Sequence, residues 1–197
     1  LPTFEAGTND TICQGQTAQL NAQATGYSNI FWQTTGDGQF SDSTTLDPDY
    51  AHGSNDLTNQ GAMLILNVQS QSPCSQSYQD TLTLVVQPDP FANAGNDDTI
   101  CANDNVQLNA SALHHNQLKW STSGDGAFDD DEKLNPFYNP GSQDIVSGSV
   151  GLMLTASGTA PCARQDRDTV EISITALPQA TAGVDDTICE TAQASLT

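Results

Sequence analysis

Apolar residues along this chain recur with a period of two. Ala18, Leu20, Ala22 and Ala24 alternate with polar neighbours, and so do Val106, Leu108, Ala110 and Ala112. Ile30 with Trp32, Leu64 with Leu66 and Val68, and Leu82 with Leu84 and Val86 continue the pattern, as do Leu118 with Trp120, Leu152 with Leu154 and Ala156, and Val170 with Ile172 and Ile174. Such alternation marks strands with one buried face. Clusters of Gly, Asn, Asp and Ser separate the runs, and a helical period is lacking. The pattern predicts an all-β fold of antiparallel sandwiches. The expected core is Trp32 or Trp120, Phe40 or Phe128, Tyr50 or Tyr138, and the Leu, Ile and Val rows.

The matching runs stand a constant distance apart. Ala6-Gly7-Thr8-Asn9-Asp10-Thr11-Ile12-Cys13 returns at Ala94–Cys101 and again at Ala182–Cys189, and 101 − 13 and 189 − 101 are both 88. The same offset carries Trp32 to Trp120, Gly36-Asp37-Gly38 to Gly124-Asp125-Gly126, Tyr50 to Tyr138, Asp56 to Asp144, and Pro73-Cys74 to Pro161-Cys162. A unit of this length is too long for a solenoid repeat and suits an independent small domain. The sequence therefore predicts a sandwich over residues 1–88, a second over 89–176, and the start of a third over 177–197. The joints fall at Gln87-Pro88-Asp89-Pro90 and Leu177-Pro178. Short joints stiffened by proline imply an extended rod.

Charge narrows the partners. The chain has 4 Lys+Arg against 24 Asp+Glu, a formal net charge of −20. A chain this acidic does not seek nucleic acid or an anionic membrane. No apolar run is long enough to span a bilayer as a helix. The pattern is already under way at the first residue and still running at the last, so the chain reads as a segment whose export signal or anchor lies elsewhere.

The five cysteines fit two pairs and one left over. The expected pairs are Cys13–Cys74 and Cys101–Cys162, with Cys189 unpaired because its partner lies beyond the last residue. Each bridge would close a loop of about 60 residues, worth on the order of 4 kcal/mol. Bridges between neighbouring units, Cys74–Cys101 and Cys162–Cys189 with Cys13 left over, fit the count equally well, but they would join positions at the far ends of two stacked domains. Geometry argues against the first choice in a simple immunoglobulin strand order, because the two cysteines would sit roughly 20 Å apart, a strand length, whereas a bridge needs Cα atoms within about 7 Å. The sequence leaves this open. Spacing of the C-x-x-C kind, which a zinc site needs, is missing.

The repeated A-G-x-x-D-T-I-C, the central W-x-T-x-G-D-G-x-F and the P-C before a final D-T-hydrophobic strand resemble the PKD/immunoglobulin-like tandem repeats of giant Bacteroidetes surface proteins, the SprB-like gliding-motility adhesins. The resemblance covers both full repeats and the stub. It implies a secreted protein displayed at the cell surface as an outer membrane-associated filament after type 9 secretion. It also implies partners in the gliding and secretion machinery, and contact with surface polysaccharide or substratum through other regions. Asp-Thr-hydrophobic triplets resemble the O-glycosylation signal of the same phylum, which marks Thr11, Thr99, Thr187, Thr81 and Thr169.

Candidate chemistry is sparse. His52, His114 and His115 do not repeat, and neither a Ser-His-Asp nor a Cys-His arrangement is suggested. The sequence is therefore not that of an enzyme, and no cofactor is expected, calcium being the one candidate. Asp125, Asp129, Asp130 and Asp131 with Glu132 form the strongest acidic cluster and are the candidate calcium ligands. The competing account is a tight turn, with Gly supplying positive φ and Asp bonding the local backbone. Function then lies between a structural spacer in an adhesive filament, a glycan- or surface-binding repeat array, and a stalk module appended to a secreted hydrolase.

Overall fold

The computed structural model describes residues 1–181 and Cys189. The first repeat comprises β1 (Thr3–Glu5), β2 (Asp10–Cys13), β3 (Thr17–Gln19), β4 (Gln23–Thr25), β5 (Tyr27–Thr34), β6 (Gln39–Phe40), β7 (Asp49–Ala51), a one-turn helix α1 (Ser54–Thr58), β8 (Gly61–Ser70) and β9 (Ser77–Gln87). The second repeats the series as β10 (Phe91–Asn93), β11 (Asp98–Cys101), β12 (Val106–Gln107), β13 (Ser111–Leu113), β14 (Gln117–Thr122), β15 (Ala127–Phe128), β16 (Phe137–Asn139), α2 (Ser142–Ser147), β17 (Ser149–Ser157) and β18 (Gln165–Thr175). The short helices lie below the length at which a helical period shows in sequence.

Each repeat is a two-layer sandwich. In the first, one sheet runs β2-β9-β8-β5; β3-β7-β6 and the β1-β4 pair form the other layer. The second repeat has the same order. Most pairs are antiparallel as expected, but β2 and β11 pair parallel to β9 and β18. The first strand is thus split: β1 pairs with β4 in one layer, and the chain then crosses to the other. The A-G-x-x-D-T-I-C motif encodes this crossing. Ala6 and Ala94 are fully buried at it. Gly7 and Gly95 take φ of +103° and +96° there, a region that costs a residue with a Cβ. Asp80 and Asp168 accept the Ala6 and Ala94 amides at 2.7 and 2.8 Å. Asn9 and Asp97 accept the Thr83 and Glu171 amides, both at 2.8 Å.

The core lies between the layers, one cluster per repeat. Leu64, Leu66, Leu82, Leu84 and Val86 pack under Trp32 and Tyr50 in the first, and Leu152, Leu154, Val170, Ile172 and Ile174 under Trp120 and Tyr138 in the second. Phe40 lies between Trp32 and Tyr50, with ring centroids 6.0 and 4.8 Å away, and Phe128 repeats the stack. These are the core residues the alternation predicts.

Candidate functional site

Two features are built from the repeated motifs: the joint between the repeats, and a glycine–aspartate turn at the edge of each sandwich.

The joint is covalent. Cys13 is disulfide-bonded to Cys162, with Cα atoms 5.5 Å apart across 149 residues of sequence. This corrects both expected pairs, Cys13–Cys74 and Cys101–Cys162. Cys13 ends β2 opposite Gln87, the last residue of β9, whereas Cys74 lies in the turn before β9 begins. The 11 residues of β9 separate the two cysteines by roughly 35 Å at strand rise, far beyond a disulfide's reach. The alternative Cys74–Cys101 and Cys162–Cys189 pairs do not form either: Cys74, Cys101 and Cys189 carry free, exposed thiols. Cys162 lies in the turn between β17 and β18, and that turn rests against the end of the first repeat. There Arg164 Nη1 donates to the Asp89 carboxylate at 2.8 Å, and Gln87 Nε2 donates to the Thr159 carbonyl at 2.9 Å. The Asp89 amide donates to Gln14 Oε1 at 3.1 Å. Cys13 and Cys162 are buried by this contact. His114 and His115 line a shallow cavity at the joint with Val85, Pro88 and Thr159.

The Gly-Asp-Gly turns are held by a buried acid. Asp56 is fully buried, and its Oδ2 accepts from the Tyr50 hydroxyl at 2.7 Å and the Gly53 amide at 3.0 Å. Its Oδ1 accepts from the Asp37 amide at 3.1 Å. Thr34 Oγ1 lies 2.8 Å from the Tyr50 hydroxyl and accepts the Gly36 amide at 3.0 Å. Asp37 reaches the other way and accepts the amides of Asn55 and Asp56 at the start of α1. The second repeat has the same network around Asp144, Tyr138, Thr122 and Asp125. The glycines are needed for clearance rather than for positive φ: a Cβ on Gly36 would overlap the Asp56 carboxylate, and one on Gly38 the Tyr50 hydroxyl. Gly124 and Gly126 stand likewise against Asp144 and Tyr138. Burial, with the adjoining Asp56 or Asp144, pushes the Tyr50 and Tyr138 phenols up to about 12. The Asn55 and Gln143 amides, chiefly, hold the Asp37 and Asp125 carboxyls below their ordinary value. The repeated Asp56 and Asp144 were visible in sequence; their fixed six-residue distance from Tyr50 and Tyr138 was the signal that could have tied them to the turn.

The calcium candidates are dispersed onto local donors. Asp125 caps α2, Asp129 accepts from the Phe137 amide and Lys133 Nζ, Asp130 accepts from the Glu132 amide, and Asp131 pairs with Lys119 at 2.6 Å. Among the described residues, no group of three or more His, Cys, Asp or Glu is placed to hold a metal ion. His52 bridges the Gly15 amide and the Gly53 carbonyl. Of the glycosylation candidates, Thr81, Thr99 and Thr169 are exposed and Thr11 is half-buried, while Thr187 lies outside the described residues, as does most of the third unit's start. Tyr27 and Tyr78 are half-buried, Tyr78 against Phe4 with centroids 5.6 Å apart. The exposed aromatic rings Phe31, Phe91 and Phe137 map by the 88-residue offset to Lys119, Thr3 and Asp49, so none recurs.

No family profile matches this chain, and no curated protein matches it in sequence. Solved structures match its fold. It is similar to the extracellular cadherin domains 3–6 of protocadherin gamma B2, with a TM-score of 0.53 and 11% identity over 89% of this chain and 47% of that one. Two others are the Ig1+Ig2 structure of DIP-gamma, with a TM-score of 0.53, 12% identity, and 88% and 97% of the two chains covered, and EC1–4 of Drosophila N-cadherin, with a TM-score of 0.52, 15% identity, and 88% and 49% covered. The fold is therefore that of cadherin and immunoglobulin-like β-sandwiches in tandem. The chain spans about half the length of the protocadherin fragment.

Proposed function

We propose that this chain is a load-bearing spacer segment of a large extracellular adhesin, built from sandwiches over 1–88 and 89–176 with a third beginning at 177–197. The observation that carries the reading is the Cys13–Cys162 bridge, which ties one repeat to the next across their joint. A disulfide of this kind persists in an oxidising, extracellular compartment. The tandem immunoglobulin-like fold and the motif resemblance support a place in a SprB-like gliding-motility filament at the cell surface, exported by type 9 secretion. Its immediate partners are then the neighbouring repeats. The gliding machinery, polysaccharide and substratum meet other parts of the protein. The exposed Thr81, Thr99 and Thr169 suit O-glycosylation.

The spacer reading is favoured over a glycan-binding array because the exposed aromatics do not recur from repeat to repeat, whereas the joint cysteines and the buried turn network do. A non-enzymatic role follows from the same account: the repeated polar groups are consumed by turns and strand crossings. Small-angle scattering should find an elongated particle with the cross-section of a single sandwich. A glycan screen in which this chain alone binds polysaccharide would reverse the choice.

A further inference from the structure

We infer that Cys74 and Cys101 are each half of a further inter-repeat disulfide: Cys101 takes the Pro-Cys cysteine of a repeat that follows, and Cys74 takes the Thr-Ile-Cys cysteine of a repeat that precedes. The inference rests on the proposed exported tandem array and adds its covalent wiring. The bonded pair itself supplies the pattern. Shifting Cys13–Cys162 by 88 residues puts Cys101 in the place of Cys13, and shifting it back puts Cys74 in the place of Cys162.

Local geometry agrees at both ends. Cys101 closes β11 opposite Thr175, as Cys13 closes β2 opposite Gln87. The amide that follows each cysteine donates to the facing carbonyl, Ala102 to Thr175 at 3.0 Å and Gln14 to Gln87 at 2.9 Å. Cys74 sits in the turn between β8 and β9, as Cys162 sits between β17 and β18. The difference is exposure: Cys13 is 8% and Cys162 3% exposed, whereas Cys74 and Cys101 are open to solvent. They lack the repeat that would cover them. The two cannot join each other within one chain, because the segment between them runs through β9, β10 and β11 along both repeats.

The chemistry balances with a disulfide oxidant, such as oxidised glutathione or a thiol oxidoreductase in its disulfide form. One cysteine thiolate attacks a sulfur of the oxidant and expels a thiolate. The second cysteine thiolate then attacks the mixed disulfide, forming the bridge and expelling the other thiolate. Two protein thiols are oxidised by two electrons while one oxidant disulfide becomes two thiols.

An array wired this way has two staggered covalent paths. From Cys74 to Cys101 is 101 − 74 = 27 residues, and each path advances two repeats per such segment plus one disulfide. Fully extended, that segment reaches about 95 Å. Two repeats already occupy at least ~70 Å, taking each as one 11-residue strand long. Tension could therefore lengthen the array by only roughly a third before covalent bonds carry the load.

The test is a longer chain, residues 1–176 joined to a second copy of residues 89–176, folded in a glutathione redox buffer, alkylated and mapped without reduction. The expected result is Cys13–Cys162 together with Cys101 bonded to the appended copy's Cys162, leaving Cys74 and the appended copy's Cys101 alkylated. Serine at the appended copy's Cys162 should leave Cys101 alkylated while Cys13–Cys162 still forms, which shows that the chain still folds. If Cys13–Cys162 forms but Cys101 is alkylated or paired elsewhere, the inference falls and the spacer reading stands. If every cysteine is alkylated, the oxidised extracellular reading falls with it.

Discussion

Removing the Cys13–Cys162 bridge should do more than lower stability; it should separate the unfolding of the two repeats. Consider the first repeat folded and the second unfolded. Cys13 and Gln87 stay together in the β2–β9 register, so the bridge closes a loop from Gln87 to Cys162, 162 − 87 = 75 residues. Chain entropy makes that loop cost about 4.5 kcal/mol. The reverse case closes a similar loop, from Cys13 to Asp89, because Asp89 is held beside Cys162 by Arg164. With both repeats unfolded the loop spans 149 residues, for a cost of about 5 kcal/mol in total. The bridge therefore opposes unfolding of whichever repeat goes first by about 4.5 kcal/mol and adds only ~0.5 kcal/mol against the second. Half-unfolded chains become rarer, relative to folded ones, by slightly more than three orders of magnitude compared with independent repeats. Calorimetry of the oxidised chain should give one merged transition. The Cys13→Ala, Cys162→Ala double variant and the reduced unaltered chain should both give two transitions, the first lowered by on the order of 20 °C. Cys74→Ala with Cys101→Ala should change nothing in the two-repeat chain. Equal melting curves for the oxidised chain and the double variant would refute the coupling.

Further outcomes follow from the turn network and from the acidic cluster beside it. Asp56→Asn should destabilise the first repeat by roughly 3 kcal/mol, because an amide cannot accept the Tyr50, Gly53 and Asp37 donors together, and Gly36→Ala should cost at least as much through overlap with Asp56; urea titration reads both. The phenols of Tyr50 and Tyr138 ionise at about 12 when folded and near 10 when unfolded, so the folded state holds the extra proton in that interval and stability should fall as pH rises from 10 to 12; Tyr50→Phe with Tyr138→Phe should flatten the fall in melting temperature across that window. Calcium or a chelator should leave the melting temperature unchanged, because the Asp125, Asp129 and Asp131 carboxylates already accept from Gln143, Phe137, Lys133 and Lys119; a calcium-dependent rise of several degrees would restore the ion-site reading.

The 88-residue period, the strand rows and the aromatic core were legible in the sequence because burial acts on each strand locally: one face must be apolar, and period two records it. The presence of a turn at Gly36-Asp37-Gly38 was legible for a similar reason, since Gly and Asp mark turns. Why glycine is needed there was not. It depends on Asp56, 20 residues on, being buried under the turn, and nothing in a linear pattern says which side chain will fill a gap. The cysteine pairing was hidden for the same physical reason. A disulfide depends on where two strand ends meet in space, and that place was set by the first strand crossing layers to run parallel to β9 and by the following repeat docking its turn against the end so formed. Sequence alone determined that these units repeat, that they are β-sandwiches and that their cysteines are paired features of the repeat. The tertiary structure decided that the pair belongs to the joint, because only there do a strand end of one repeat and a turn of the next come within bonding distance.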